Sequence, residues 1–352
     1  MKENKIIEFT GEISEKEMEM LNRVFERYSF QPVSYEKVRS VYKLKTATNY
    51  VCLKRFKHGR YKAENGNILV EELFKNNFFN TPKYIKTKND NLLVKYKDLF
   101  FYATEWVDGE ETNLDELEEA VSCAKLLAKF HLATKNINTK KLKIKNNLKN
   151  WPKIYKKQLY DFYKYEKIID NKKIKSSFDI SYKENINRFY NSALVSLKIL
   201  NSSEYYRLSN IADKNTTICH DSFYYQNIIK KDGEYYIIDL DSIIIDLQIN
   251  DLGKYIRRLM CKSSYRWNFE SAIKIIEAYN SVNKLTKEEL EVMLALIMFP
   301  HKFWKLGKKR YIKYKNWDER KYSRKLKNIL RDSDLQEKFF KDYIDYMNNH
   351  IY

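Results

Sequence analysis

The sequence predicts an α+β chain of two lobes, a small antiparallel sheet carrying one helix and then a larger, mostly helical body. Three observations carry this expectation. Up to about residue 107 the chain contains runs with apolar residues at every second position, the period of a half-buried strand, whereas from residue 114 they recur at helical spacing. With 352 residues, 43% hydrophobic and 15% aromatic, the chain has apolar surface for two cores and a composition unlike that of disordered segments. Only 7 Gly and 4 Pro occur, which favours long helices over the many tight turns of an all-β sandwich.

Taken in order, a short N-terminal helix precedes SYEKVRSVYKLKTATNYVCLKRFK (34–57). That stretch holds three strand-type runs, with Val38, Val41, Tyr42, Leu44, Val51 and Leu53 at apolar positions, and reads as a meander. AENGNILVEELFKNN follows as a helix whose apolar face holds Ile68, Leu69 and Leu73, and NLLVKY and LFFYATEWV add two strands. The first lobe is expected to span 1–107 and the second 108–352. The second opens on LDELEEAVSCAKLLAKFHLAT, with acids near its start, where they complement the helix dipole, and Leu117, Val121, Leu127 and Phe130 at helical spacing. Residues 135–175 hold 14 Lys against 3 acids with aromatics interleaved, a pattern that fits a solvated helical insertion better than a nucleic-acid stripe. TTICHDSFYYQNIIKKDGEYYIIDLDSIIID (216–246) returns to strand character, with KKDG as a hairpin turn, and long helices occupy the rest.

A formal charge of +19, from 66 basic and 47 acidic residues, attracts nucleic acid, anionic lipid or an acidic protein without choosing among them. A solvated surface is the default reading, and nucleic acid is not an expected partner. Cys52, Cys123, Cys219 and Cys261 lie far apart with no CxxC pair, which argues against disulfide and zinc frameworks. The N-terminal stretch MKENKIIEFTGEISEKEM lacks an apolar core, and no 18-residue apolar run occurs, so neither a signal peptide nor a membrane span is expected and synthesis is cytoplasmic.

Phosphoryl transfer needs a Lys on the phosphates, carboxylate and amide oxygens on Mg²⁺, and a base that orients the acceptor hydroxyl. Lys54, in the strand-type VCLKRF, fits the first role, with Glu72 on the helix face of Leu69 and Leu73 as its expected ion-pair partner. FFYATEWVDGEE ends in a polar turn whose main chain, flanked by Glu105 and Val107, could take an adenine edge. The densest signal is H-D-S-x-x-x-x-N, from His220 to Asn227, followed twelve residues later by Asp239 within I-I-D-L-D. One hairpin would bring the Asn227 amide oxygen and the Asp239 carboxylate together as hard-oxygen ligands for Mg²⁺, with Asp241 as a further ligand or a structural hydrogen-bond acceptor. His131 and His301 read as structural histidines.

Lys54, TEWVDG, LLAKFH, CHDSFYYQN, YYIIDLD and IDLQINDLGKYIRRL together resemble the aminoglycoside/choline kinase-like phosphotransferase superfamily. Within it the chain is most similar to the CotS family of spore-coat proteins of endospore-forming bacteria, over roughly residues 30–330. The resemblance implies a bilobal protein-kinase-like fold, ATP and Mg²⁺ as cofactors, synthesis in the mother cell during sporulation and a place in the spore coat. Other coat proteins or a small-molecule ligand would be its partners. It also implies that Asp251 supports the loop or caps its helix.

The superfamily loop is H-x-D-x-x-x-x-N, with the catalytic base two residues after His. Here His220 and Asn227 keep their places, Ser222 falls on the base position and Asp221 stands one residue early. A Ser hydroxyl is not a base near neutral pH, and loss of a general base costs about 10²- to 10⁴-fold in rate. No glycine lies between Val33 and Gly59 to close over phosphates. The expectation is therefore a pseudokinase-like coat protein with weak or absent phosphotransfer. The alternative is an active ATP- and Mg²⁺-dependent enzyme for a small hydroxyl- or amine-bearing substrate, using Asp221 through a bulged loop.

Overall fold

A computed structural model describes residues 13–135 and 137–349. They form two compact units. The first takes in the described residues of Met1–Thr112, Asn136–Lys145 and Ser222–Ile243, the second those of Asn113–Lys135, Asn146–Asp221 and Ile244–Tyr352.

In the first unit, helix α1 (Glu15–Phe25) begins where the Ser14 hydroxyl accepts the Glu17 N–H. The meander follows as β1 (Ser34–Val38), β2 (Val41–Lys45) and β3 (Tyr50–Phe56), then helix α2 (Arg60–Lys75) and strands β4 (Tyr84–Ile85), β5 (Val94–Tyr96), β6 (Leu99–Glu105) and β7 (Glu110–Glu111). The sheet order is β1-β2-β3-β6-β4, with β5 also pairing β6. The sequence reading found every one of these elements except β4 and β7, which are too short to show a period.

Alternation along β3 divides its residues between two faces. Val51 and Leu53 join Leu44, Phe101 and Ala103 in a core that Met20, Leu21, Val24 and Phe25 of α1 cover. Cys52 and Lys54 therefore project from the opposite face. Arg39 and Ser40 alone join β1 to β2, with Val38 opposite Val41 and Arg39 at φ 54°, and the Arg39 guanidinium lies 2.5 Å from the Glu111 carboxylate. This glycine-free turn is tied down by a side-chain ion pair.

The hairpin of Ile228–Lys231 and Glu234–Ile237 turns through Asp232 and Gly233, both with positive φ, as KKDG predicts. We expected it within the C-terminal body, but it belongs to the first unit. Ile229 and Lys230 pair with Glu111 and Glu110, the Asn80 amide donates to the Tyr235 carbonyl, and the Asn80 carbonyl accepts the Ile237 N–H. These contacts attach the hairpin to β7 and to the loop that follows α2.

The second unit is built of helices α3 (Leu117–Ala133), α4 (Trp151–Asp170), α5 (Ser177–Ser202), α6 (Tyr205–Asn215), α7 (Ile249–Met260), α8 (Phe269–Asn280), α9 (Lys287–Met298), α10 (His301–Gly307), α11 (Glu319–Arg331) and α12 (Ser333–Asn349). Capping boxes start α5 (Ser176 with Asp179) and α9 (Thr286 with Glu289). The basic stretch 135–175 contributes α4, which buries Trp151, Tyr155, Phe162 and Tyr165 and leaves most of its lysines exposed. Gly253 lets α7 approach α9, since a Cβ there would lie 3.0 Å from Met293 Cγ and 3.1 Å from Leu296 Cδ2. Ile218–Cys219 pairs with Ile244–Ile245, bringing the ends of the HDS loop and of α7 together within this unit.

Candidate functional site

Lys54 stands at the centre of the first unit's polar cluster. Pairing with Tyr102 across β3 and β6 puts both side chains on the face away from α1. The Lys54 ammonium bonds the Asp239 carboxylate and, at 2.6 Å, Asp241 Oδ2; the Tyr102 hydroxyl donates to Asp241 at 2.8 Å. Burial alone would lower the Lys54 pKa, but the Asp241 and Asp239 charges outweigh it and hold the ammonium above its ordinary value. Burial pushes the neighbouring Cys52 thiol up to about 12 and the Tyr84 and Tyr102 hydroxyls well above their usual range.

The hairpin supplies the carboxylates. Ile228 pairs with Ile237 and the Ile238 N–H donates to the Asn227 carbonyl at 3.0 Å, so Asn227 and Asp239 flank one end of the ladder. The Asn227 amide nitrogen donates to the Ser222 carbonyl at 3.0 Å, which orients its side-chain oxygen. Asp239 takes a left-handed backbone, φ 64°, a conformation that Asp tolerates better than most residues.

Glu72 is a correction. Its carboxylate bonds Lys75 at 2.6 Å, on its own helix, while Lys54 is held by Asp239 and Asp241. The physical reason lies in the face α2 presents. Gly66 packs so closely on the Tyr84 hydroxyl that a Cβ would collide with it, and Tyr84 stacks on Tyr102 at 5.3 Å. Tyr84 and Gly66 fill the space beside Tyr102. No periodicity in α2 signals this, because it depends on Tyr84, eighteen residues beyond Gly66.

Glu105 is held by Lys83, whose N–H donates to the carboxylate and whose carbonyl accepts the Glu105 N–H, each at 2.9 Å. The Glu105 end of the expected adenine edge is thus paired with Lys83. Among the described residues none hydrogen-bonds the Val107 main chain. Glu105, Trp106 and Val107 line a cavity of about 710 Å³ with Tyr50, Phe74 and Tyr236; Lys54, Asn227 and Asp239 are not in its lining.

In the second unit the HDS loop rests on Asp251. Its carboxylate accepts the His220 N–H at 2.6 Å and the Asp221 N–H at 2.9 Å, and lies 3.2 Å from His131 Nε2. All three of Asp251, His131 and His220 are buried. Burial would raise the Asp251 pKa, but His131 and the surrounding positive charge hold it below the ordinary value; burial depresses His131. Asp221, at φ 65°, turns its carboxylate to Lys254 of α7, 2.5 Å away. Sequence reading missed Lys254, although its i, i+3 spacing from Asp251 places both on one helix face. It also missed Asp246, which accepts from Trp151 Nε1 and the Asn147 amide and whose pKa burial raises to about 6.

The fold is that of kinase-like phosphotransferases. It is similar to an aminoglycoside phosphotransferase from Alicyclobacillus acidocaldarius, TM-score 0.82 and 16% identity over 92% of this chain and 95% of that one. It is also similar to spectinomycin phosphotransferase APH(9)-Ia in complex with ADP and spectinomycin, TM-score 0.62 and 15% identity over 92% and 98%.

Within that class the chain belongs to the family described as "Spore coat putative kinase YutH", which matches residues 21–343. Spore coat protein S of Bacillus subtilis (strain 168) is 24% identical over 261 residues, 72% of each chain. Among the described residues no helix is long and apolar enough to cross a membrane.

Proposed function

We propose that the chain is a spore-coat protein that keeps a kinase fold for assembly or ligand binding, with phosphotransfer slow or absent. One observation carries this reading: Ser222 occupies the base position, while Asp221, one residue earlier, has a left-handed backbone and is ion-paired to Lys254. The family and its coat-protein relative support a place in the coat.

The oxygen-donor set suits a nucleotide and its metal. Asp239, Asp241 and the Asn227 amide oxygen are the hard ligands Mg²⁺ prefers, and Lys54 is the cation that would pass from the carboxylates to phosphate oxygens. Mg²⁺-ATP, when bound, would supply the transferable phosphoryl group. Tyr102 keeps Asp241 in place through its hydroxyl, and Asp251 fixes the His220–Asp221 main chain. Neither contact provides a base at residue 222.

A fluorescent fusion of the Asp221→Asn, Ser222→Ala double variant tests the reading in sporulating cells. Incorporation into the coat at the wild-type level is expected. Loss of incorporation by a variant that circular dichroism shows to be folded would overturn it.

A further inference from the structure

Between α10 and α11 the second unit gathers cations around one indole ring. The ammonium groups of Lys309, Lys321 and Lys325 lie 4.6, 4.9 and 5.4 Å from the centre of the Trp317 ring. Lys309 comes from a π turn, Lys308–Ile312, and the other two from α11, so residues from two elements share one patch. Residues 308–327 hold 10 Lys and Arg against 2 acids. Both acids are engaged. Glu319 Oε2 accepts from Arg310 Nη2 at 2.7 Å, and Asp318 caps α11 by accepting the Lys321 N–H at 2.6 Å.

The segment that carries Trp317 is a fixed turn. The Lys313 and Lys315 N–H groups donate to the Lys308 and Lys309 carbonyls, each at 2.9 Å, and the Trp317 N–H donates to the Lys315 carbonyl at 2.7 Å. Tyr314 takes a left-handed backbone, φ 46°. The buried Tyr322 of α11 donates its hydroxyl to the Lys315 carbonyl at 2.8 Å, which fastens the turn to the helix. Between the lysines the turn exposes apolar surface: Tyr314 is 75% and Ile312 41% exposed, and Trp317 is half-buried.

We propose that this face docks the chain on an anionic lipid surface. The lysines meet headgroup phosphates, and Tyr314, Ile312 and Trp317 enter the interface, where amphipathic rings and lysine stems are stabilised. Exposed lysines suffice for this partner, because attraction to a charged sheet needs no desolvated ion pair. Nucleic acid is a poorer match. A base stacks on an open aromatic face, but ammonium groups already cover Trp317, and Ile312 offers a base no ring. Docking of this kind is peripheral and requires neither nucleotide nor phosphotransfer.

Cosedimentation of the full chain with vesicles of equal parts phosphatidylglycerol and phosphatidylcholine tests it, against vesicles of phosphatidylcholine alone. We expect salt-sensitive binding to the anionic vesicles only. Lys309→Gln, Lys321→Gln and Lys325→Gln together should weaken it about 10²-fold, from about fivefold for each lysine near an anionic surface. Tyr314→Ser, on a side chain too exposed to matter for folding, should weaken it severalfold and keep the salt dependence. Removing as many charges from exposed α4 surface, by Lys153→Gln, Lys156→Gln and Lys157→Gln, should leave binding nearly unchanged. Absence of binding, equal binding to both vesicles, or an equal loss in the α4 variant would each overturn the proposal. So would a single-stranded RNA or polyglutamate that keeps the chain off the vesicles at equal charge concentration, since that polymer would then be the better occupant.

Discussion

Lys254 Nζ lies 2.5 Å from Asp221 Oδ1, so the carboxylate one residue after His220 is held by a lysine of the following helix. Both side chains are about a quarter to a third exposed, which limits the pair to roughly 0.5–1 kcal/mol. Lys254→Met should therefore lower the melting temperature only slightly. It should also leave phosphotransfer as low as in the wild type, because freeing Asp221 does not move it to position 222. Thermal melts and an ADP-release assay check the two halves.

Ser222→Asp puts a carboxylate at the base position of the family loop. If the missing base limits the rate, ADP release should rise about 10²-fold or more over the wild type, the low side of what general-base catalysis contributes. No change would mean that the loop geometry, and not the residue type, is limiting.

Lys54→Met leaves Asp239 and Asp241 with no cation between them. The expected cost is about 1–2 kcal/mol, toward the low end for a broken ion pair because Lys54 is partly exposed. Millimolar Mg²⁺ should restore more stability to this variant than to the wild type, measured by thermal melts with and without the ion.

Stability should fall as the solution is acidified below about pH 6.5. His301, depressed from 6.5 to about 2 by burial and neighbouring cations, contributes stability that is complete above 6.5 and is lost as pH drops toward 2. His131, lowered chiefly by burial, acts in the same direction. Asp246, raised by burial to about 6, acts oppositely, its contribution fading as pH rises through 6. Urea midpoints from pH 7 to pH 5 should decline in the wild type and decline less in His301→Gln, a single group accounting for at most about 1.4 kcal/mol per pH unit.

Much of the fold was legible because its elements are long and periodic. The meander, α2, the KKDG hairpin and the helical body follow from apolar spacing, and α1 covers the sheet face defined by Val51 and Leu53. Asn227 and Asp239 were legible because one hairpin joins them. The partner of Lys54 was not, since Asp239 and Asp241 lie 185 and 187 residues away in sequence.

The central claim, a kinase fold retained without efficient phosphotransfer, is tested most directly by one paired measurement. Mg²⁺-ATP is titrated calorimetrically into the chain, and ADP formation is followed in the same sample. The account predicts binding with little or no ADP above background. Sustained turnover that Asp221→Ala abolishes would contradict it.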